Sequence, residues 1–388
     1  MEKKLSENTR SLLFAMLRRE ICGGASSDDT EITLNETEAE ELYALSNRFE
    51  LAHLVGDALK KSGTVLPETI AKKFKDRTER AIYRYCVMQN EIDCISALFE
   101  KEKIPFIPLK GAVLRNLYPE PWMRFSNDID ILVHPDDMKR ADKALVSELQ
   151  YEQFVSTAHD ISYMSKTKMH LELHYNLIED GWANDAKQIL NAVWEYAFHE
   201  ANSCKYTLDV PMFFFYHISH MTKHFEVGQC GIRPFLDLYI LNQREEFQSE
   251  DCKKLTKKGN LSAFSELSCK LSEVWMEGEE HDESTQLLEN FIFDISGSNN
   301  VAMLVGKHNN SRFQAILSKI FISYDVIKYQ YPILRKHRWL TPIMEVRRWG
   351  KLIFCGGMKR SVDTIKNTAN LSDKKILETK ILLEKIGL

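Results

Sequence analysis

The sequence lacks the marks of several large classes of protein. Its eight cysteines (Cys22, Cys86, Cys94, Cys204, Cys230, Cys252, Cys269 and Cys355) form no CxxC pair and no zinc-ribbon spacing. A chain of 388 residues buries its own core without a disulfide framework, so a reducing compartment is expected. The charged MEKKLSENTR start has no apolar h-region behind it, which argues against a signal peptide. The most apolar run, VPMFFFYHI from Val210 to Ile218, is about half the length a spanning helix needs. The expected setting is therefore cytoplasmic, without membrane insertion. Internal repeats and low-complexity tracts are absent as well. With 51 Lys and Arg against 56 Asp and Glu, the net charge of −5 gives no general attraction to nucleic acid. A partner must be recognised by a site.

What is present is an ordinary globular composition, 44% hydrophobic and 28% charged, long enough for two or three folding units. Residues 1–77 read as a helical N-terminal region. Leu42, Leu45, Phe49, Leu51 and Leu54 lie near helical spacing within one segment, Glu38 to Leu59, ended by the SGTVLPE loop. A long helix is expected from about Ile70 to Glu102. Residues 78–180 then change texture: short apolar runs at Ile104–Leu109 and Ile129–Val133 read as buried strands. Ala112–Tyr118 makes two helical turns between them, and Pro135 opens a helix to about Leu149. Strands are expected at Tyr151–Val155, Ile161–Ser165 and Met169–Asn176, giving an α+β unit with a small mixed sheet and flanking helices. Residues 181–388 read as mostly helical, including Phe313–Leu334, with a loop at residues 297–300 and a solvated amphipathic tail helix.

The informative stretch runs from Pro105 to Asn176. In NDIDILV, Asp128 and Asp130 are two apart on a strand, so both carboxylates leave one face while Ile129, Ile131 and Val133 pack on the other. Neighbouring carboxylates repel unless a cation sits between them, and hard divalent ions are held by such pairs together with substrate phosphates. Upstream, PFIPLKGAVLRNLY runs a strand into Lys110-Gly111 and straight into a helix. Gly111 permits close approach of backbone, the helix N-terminus offers N–H groups to phosphate, and Lys110 adds a cation. Arg124 and Ser126 in WMRFSNDID are candidates to clamp and hydrogen-bond phosphate oxygens. In MHLELHYN, His170, Glu172 and His174 share a strand face. An HExxH zinc-protease reading fails on spacing, and three alternating strand residues chelate a single zinc poorly. Glu172 is better read as a third carboxylate beside Asp128 and Asp130.

This order of Lys-Gly, helix, Arg-x-Ser-x-Asp-x-Asp, helix, strands and apolar-Glu-apolar-His resembles the nucleotidyltransferase superfamily of DNA polymerase β-like fold. It is most similar to the branch known only as uncharacterised nucleotidyltransferases. The resemblance implies a small mixed sheet carrying three acids, two Mg²⁺ ions, and transfer of a nucleoside monophosphate from an NTP to an acceptor with release of pyrophosphate. By position, Lys110 and Gly111 match the phosphate-binding turn, Asp128 and Asp130 the metal pair, and Glu172 the third acid. Two departures stand out: the superfamily turn is usually Gly-Ser, and its third acid is often Asp. The acceptor is left open among small molecules, RNA and protein. A non-catalytic nucleotide-binding protein and a metal-dependent phosphohydrolase are the alternative readings.

Other features carry two readings each. His217, His220 and His224 share one helical face, and lining a nucleotide cleft or packing in the core is preferred over a metal triad, as cleft-lining is for His174. Arg233 and Asp237, four apart, read as a surface ion pair or as part of the acceptor pocket. Arg347, Arg348 and Lys351 with Trp349 form a basic-aromatic patch, read as a solvated helix end in preference to a contact for an anionic acceptor such as RNA. Trp122 reads equally as a base-stacking ring and as ordinary packing.

Overall fold

The computed structural model describes residues 7–23, 33–178, 184–226, 228, 230–294, 321, 322, 324, 327, 328, 331–354 and 372–388. The chain opens with helices α1 (Glu7–Cys22), α2 (Glu36–Arg48) and α3 (Ala52–Lys61). The sequence pattern joins the last two into one helix, but the chain breaks between them. Glu50 takes a left-handed conformation (φ 59°), and the Leu51 amide reaches back to the Ser46 carbonyl at 2.7 Å. That is a helix-ending geometry in which an apolar Leu51 still falls into the core, so the periodicity runs through the break undisturbed. The 34-residue α4 (Glu68–Lys101) follows, as expected, starting directly after Pro67.

Next come β1 (Phe106–Pro108), the single turn α5 (Gly111–Leu114), β2 (Asp128–Val133) and α6 (Met138–Glu148). Pro135–Asp137 form a 3₁₀ turn ahead of α6 rather than its first turn. Then β3 (Glu152–Ser156), β4 (Asp160–Met164) and β5 (His170–His174) complete a five-stranded mixed sheet of order β1-β2-β5-β4-β3. The pairing is antiparallel throughout except between β2 and β5, which are parallel. The α+β class and the mixed sheet with flanking helices are thus present.

The alternation of β2 and β5 decides what each sheet face does. Ile129, Ile131, Val133, Leu171 and Leu173 join Met88, Ile95 and Phe99 of α4 and Ala141 and Leu145 of α6 in one buried cluster. Each such side chain contributes roughly 1.5–3 kcal/mol, which anchors the sheet on the side away from the acids. On the opposite face Leu132 joins the larger hydrophobic cluster, and the rest of β2 and β5 carries Asp128, Asp130, His170, Glu172 and His174.

Helix α7 (Asn184–Asn191) precedes a hairpin, β6 (Ala197–His199) with β7 (Tyr206–Leu208), in a region expected to be helical. The hairpin extends the fold beside β1, where the Phe106 amide donates to the Cys204 carbonyl at 3.0 Å. Helices α8 (Val210–Glu226), α9 (Arg233–Asn242), α10 (Glu250–Lys258), α11 (Ser262–Glu277) and α12 (Glu283–Ile292) follow. Beyond them lie α13 (Thr341–Phe354) and α14 (Asp373–Ile386). Leu382, Leu383 and Ile386 of α14 belong to the same hydrophobic cluster as α1, α8 and α11, so the tail helix is docked on one face rather than wholly solvated. The loop expected at residues 297–300, and most of the helix expected at Phe313–Leu334, lie outside the described residues. Among those that are described there, Pro332–Arg335 form a 3₁₀ turn. No helix among the described residues is long and apolar enough to cross a membrane.

Candidate functional site

Parallel pairing of β2 with β5 places Asp128 opposite His170, Asp130 opposite Glu172 and Leu132 opposite His174. Because the side-chain period is two, the acids and histidines of both strands emerge on the same face. Two donor sets result, Asp128 with His170 and Glu172, and Asp130 with Glu172 and His174; within each, the ligating atoms lie within 4.8 Å of one another. Glu172 belongs to both. The histidines therefore stand closer to the acids than strand spacing alone suggested, because cross-strand neighbours complete the sets.

Asp130 is the most tightly engaged acid. Its Oδ1 accepts from Lys110 Nζ at 2.7 Å and from His174 Nε2 at 3.0 Å. Burial opposes ionisation of Asp130, but the Lys110 ammonium and His174 outweigh it and hold the carboxyl well below its usual range. The other two acids move the opposite way. Burial, then the charge of Asp130, raises Asp128 and pushes Glu172 up to about 8. Lys110 is likewise buried, yet Asp130 keeps it firmly protonated.

Lys110 reaches this position through an unusual backbone. Its φ of 43° and ψ of −118° lie in a region that type II′ turns reserve for glycine, a strained state for a residue with a Cβ. The next residue is Gly111, and its smallness serves a purpose other than the one expected. A Cβ built on Gly111 would sit 2.4 Å from Ser126 Oγ, so the glycine admits the segment before β2 rather than a ligand. Three of the four N–H groups of α5 are also spoken for. Ala112 donates to the Leu109 carbonyl, and Val113 and Leu114 donate to that of Lys110, at 2.9–3.1 Å. Most of the expected phosphate-binding helix N-terminus is thus tied within the turn, with the Gly111 carbonyl held further by Arg115 Nε at 2.7 Å.

Arg124 and Ser126 are also committed within the protein. Arg124 donates from Nε to Asp237 Oδ1 at 2.6 Å, and from Nη1 to the Phe125 carbonyl and Ser126 Oγ. The Tyr118 hydroxyl donates to the same Asp237 oxygen at 2.7 Å. Asp237 is therefore a buried anchor between α9 and the segment before β2, not the partner of a surface pair with Arg233. Arg233 instead meets Glu50 at 2.9 Å, and Glu50 also accepts from Asn127. The helix break at Glu50 is what brings this carboxylate to the site.

Beside Lys110 opens a cavity of about 330 Å³. Tyr216, His217, His220 and His224 of α8 line one side; Arg124, Arg233 and Asp237 line another, with Arg48, Phe49 and Glu50 at the α2–α3 break. His217 donates from Nε2 to the Pro234 carbonyl, and the Nε2 atoms of His220 and His224 are 3.2 Å apart. Burial lowers all three, His224 to about 4, so they stand as neutral imidazoles. Burial also draws Lys223 down to about 8. Trp122 packs edge-on near His53, in keeping with a structural ring.

The structure thus brings Asp128, Asp130, Glu172, Lys110 and His174 together, and sets the three α8 histidines on the adjoining cavity. It commits Ser126 and the amides of Ala112, Val113 and Leu114 within the protein, and holds Arg124 to Asp237 at the cavity wall. Sequence reasoning missed Arg48, Glu50 and Tyr216. Only the positive φ at Glu50 distinguishes that residue from any other helical glutamate, and no sequence pattern reports it.

Three carboxylates on adjoining parallel strands, beside a lysine-bearing turn and a cavity with basic walls, make a centre suited to chemistry on phosphate groups. The sequence model of the family described as uncharacterised nucleotidyltransferase matches residues 35–277, more than half of the chain, and the protein belongs to that family. The match runs from the cap of α2 to the end of α11 and takes in the sheet and every residue lining the cavity. It supports a nucleotidyl-transfer role. Comparison with curated proteins and with solved structures gives no match.

Proposed function

We propose that the protein transfers a nucleoside monophosphate from a nucleoside triphosphate to an acceptor nucleophile and releases pyrophosphate. The observation that carries this reading is the convergence of Asp128, Asp130 and Glu172 on one sheet face, with Lys110 Nζ 2.7 Å from Asp130. The donor chemistry fits hard divalent cations, Mg²⁺ above all, since carboxylate oxygens dominate both donor sets. Asp128, Asp130 and Glu172 would hold them, and the sharing of Glu172 between the two sets suits a pair of ions. Bound there, such ions supply charge neutralisation of the triphosphate and acidify an acceptor hydroxyl.

The chain's own residues do the rest. Lys110 offers its ammonium to the phosphates by leaving the Asp130 oxygen on which it rests. Glu172, pushed up to about 8, keeps its proton at neutral pH until a cation draws it off. His174 holds Asp130 in place from the strand beside it, and the neutral histidines of α8 give the cavity hydrogen-bonding walls without adding positive charge.

The test is incubation of the purified chain with each α-labelled NTP, Mg²⁺ and a cell extract, followed by identification of the labelled component. Label should enter one acceptor as pyrophosphate appears. Asp130→Asn and Glu172→Gln should lower transfer at least about 100-fold while the fold persists. Mg²⁺-dependent NTP binding with no transfer to small molecule, RNA or protein would overturn the reading, and release of inorganic phosphate would replace it with hydrolysis.

A further inference from the structure

A segment remote in sequence from the acids has a different physical character. Residues 331–354 carry six basic residues, Arg335, Lys336, Arg338, Arg347, Arg348 and Lys351, against the single acid Glu345, in a chain whose net charge is −5. Glu345 itself is buried and paired with Arg348. The same segment exposes large apolar side chains: Trp339 at 72%, Val346 at 72%, Ile343 at 54% and Ile333 at 50%. Ile343, Val346, Arg347 and Lys351 recur at helical spacing, so α13 presents apolar and basic groups together on its outer side.

We propose that this side of α13, with Trp339 just ahead of it, rests on an anionic lipid surface. The pairing of the two chemistries is what selects the partner. Basic side chains are drawn to anionic headgroups, while a tryptophan and β-branched aliphatics gain by entering the boundary between headgroup and acyl chain. Single-stranded nucleic acid would reward the charge and the Trp339 ring but leave Ile343 and Val346 in water. The contact is peripheral, since no helix among the described residues has the length and apolarity of a span. The inference is independent of the nucleotidyl-transfer reading, because no residue of the acid site takes part in it.

The full chain is to be sedimented, without nucleotide, with vesicles of phosphatidylcholine alone and of phosphatidylcholine with phosphatidylserine. Binding is expected only to the anionic vesicles, and it should weaken as salt screens it. With each basic residue near the surface worth roughly fivefold, Arg347→Gln with Lys351→Gln should lower partition about 25-fold. Trp339→Ala should weaken binding and leave its salt dependence in place. Brominated lipids should quench the wild type more than Trp339→Phe. All these side chains are partly or largely exposed, so the urea midpoint of each variant should match the wild type. Equal binding to both vesicle types, no vesicle binding at all, or capture of single-stranded RNA in preference to vesicles would overturn the proposal.

Discussion

Replacing Asp237 by Ala should cost the fold about 3–5 kcal/mol, the usual consequence of leaving a buried charge without its partner. Asp237 is 1% exposed, and one of its oxygens receives both Arg124 Nε at 2.6 Å and the Tyr118 hydroxyl at 2.7 Å. Burial opposes the charge on Arg124, and Asp237 more than offsets it, holding the guanidinium above its usual range. Without the carboxylate, the Phe125 carbonyl and the Ser126 hydroxyl remain as partners for a full buried charge. Urea unfolding followed by circular dichroism measures the loss. Asp237→Asn, which retains an acceptor oxygen, should lose less than Asp237→Ala. Arg124→Met combined with Asp237→Leu should recover much of the deficit, because a buried ion pair roughly breaks even against an apolar substitute. An Asp237→Ala protein within about 1 kcal/mol of wild type, or a double variant as unstable as the two single losses added together, would refute the account.

Further expectations follow from other contacts. Gly111→Ala drives a Cβ into Ser126 Oγ and should cost about 1–3 kcal/mol, with Ser126→Gly in the same chain restoring most of it; thermal unfolding of both proteins decides. Lys110→Gly and Lys110→Met both lose the Asp130 ion pair, but glycine also relieves the strained backbone, so the glycine variant should be the more stable by about 1–3 kcal/mol in urea titrations. His53 is buried with Nε2 donating to the Met123 carbonyl at 2.8 Å, and burial lowers it from 6.5 to about 4. Between those values the unfolded chain binds the extra proton, so the part of the stability due to His53 is complete above about pH 6.5 and is lost, by up to about 3 kcal/mol, as pH drops toward 4. His53→Gln should lessen the slope over that stretch, to which His217, His220 and His224 also contribute, and an unchanged slope would show that His53 has no part in it.

What the sequence disclosed about this site was local, and what it hid was long-range. Period-two alternation in Asp128–Asp130 and in His170–His174 was enough to assign each strand a polar face, because side-chain direction on a strand depends on that strand alone. The register that sets Asp130 against Glu172 is a property of two strands about 40 residues apart, and nothing within either strand specifies it. The partner of Arg124 was hidden for the same reason, since Asp237 lies 113 residues downstream while an i,i+4 pairing with Arg233 offered a nearer explanation. Gly111 shows a different limit: a glycine needed for close approach looks identical in sequence whether the approaching group is a phosphate or a serine hydroxyl. These long-range partners change where phosphate recognition must come from. With the amides of Ala112, Val113 and Leu114 bonded to carbonyls and Arg124 held by Asp237, the α5 turn and Arg124 have less to offer a triphosphate than their sequence pattern implies. In the proposed reaction much of that task passes to the Lys110 ammonium, once it leaves Asp130, and to cations held by Asp128, Asp130 and Glu172. Removing those acids should then weaken triphosphate binding as well as transfer, whereas a Gly-Ser phosphate-binding turn of the kind usual in the superfamily would let binding survive their loss.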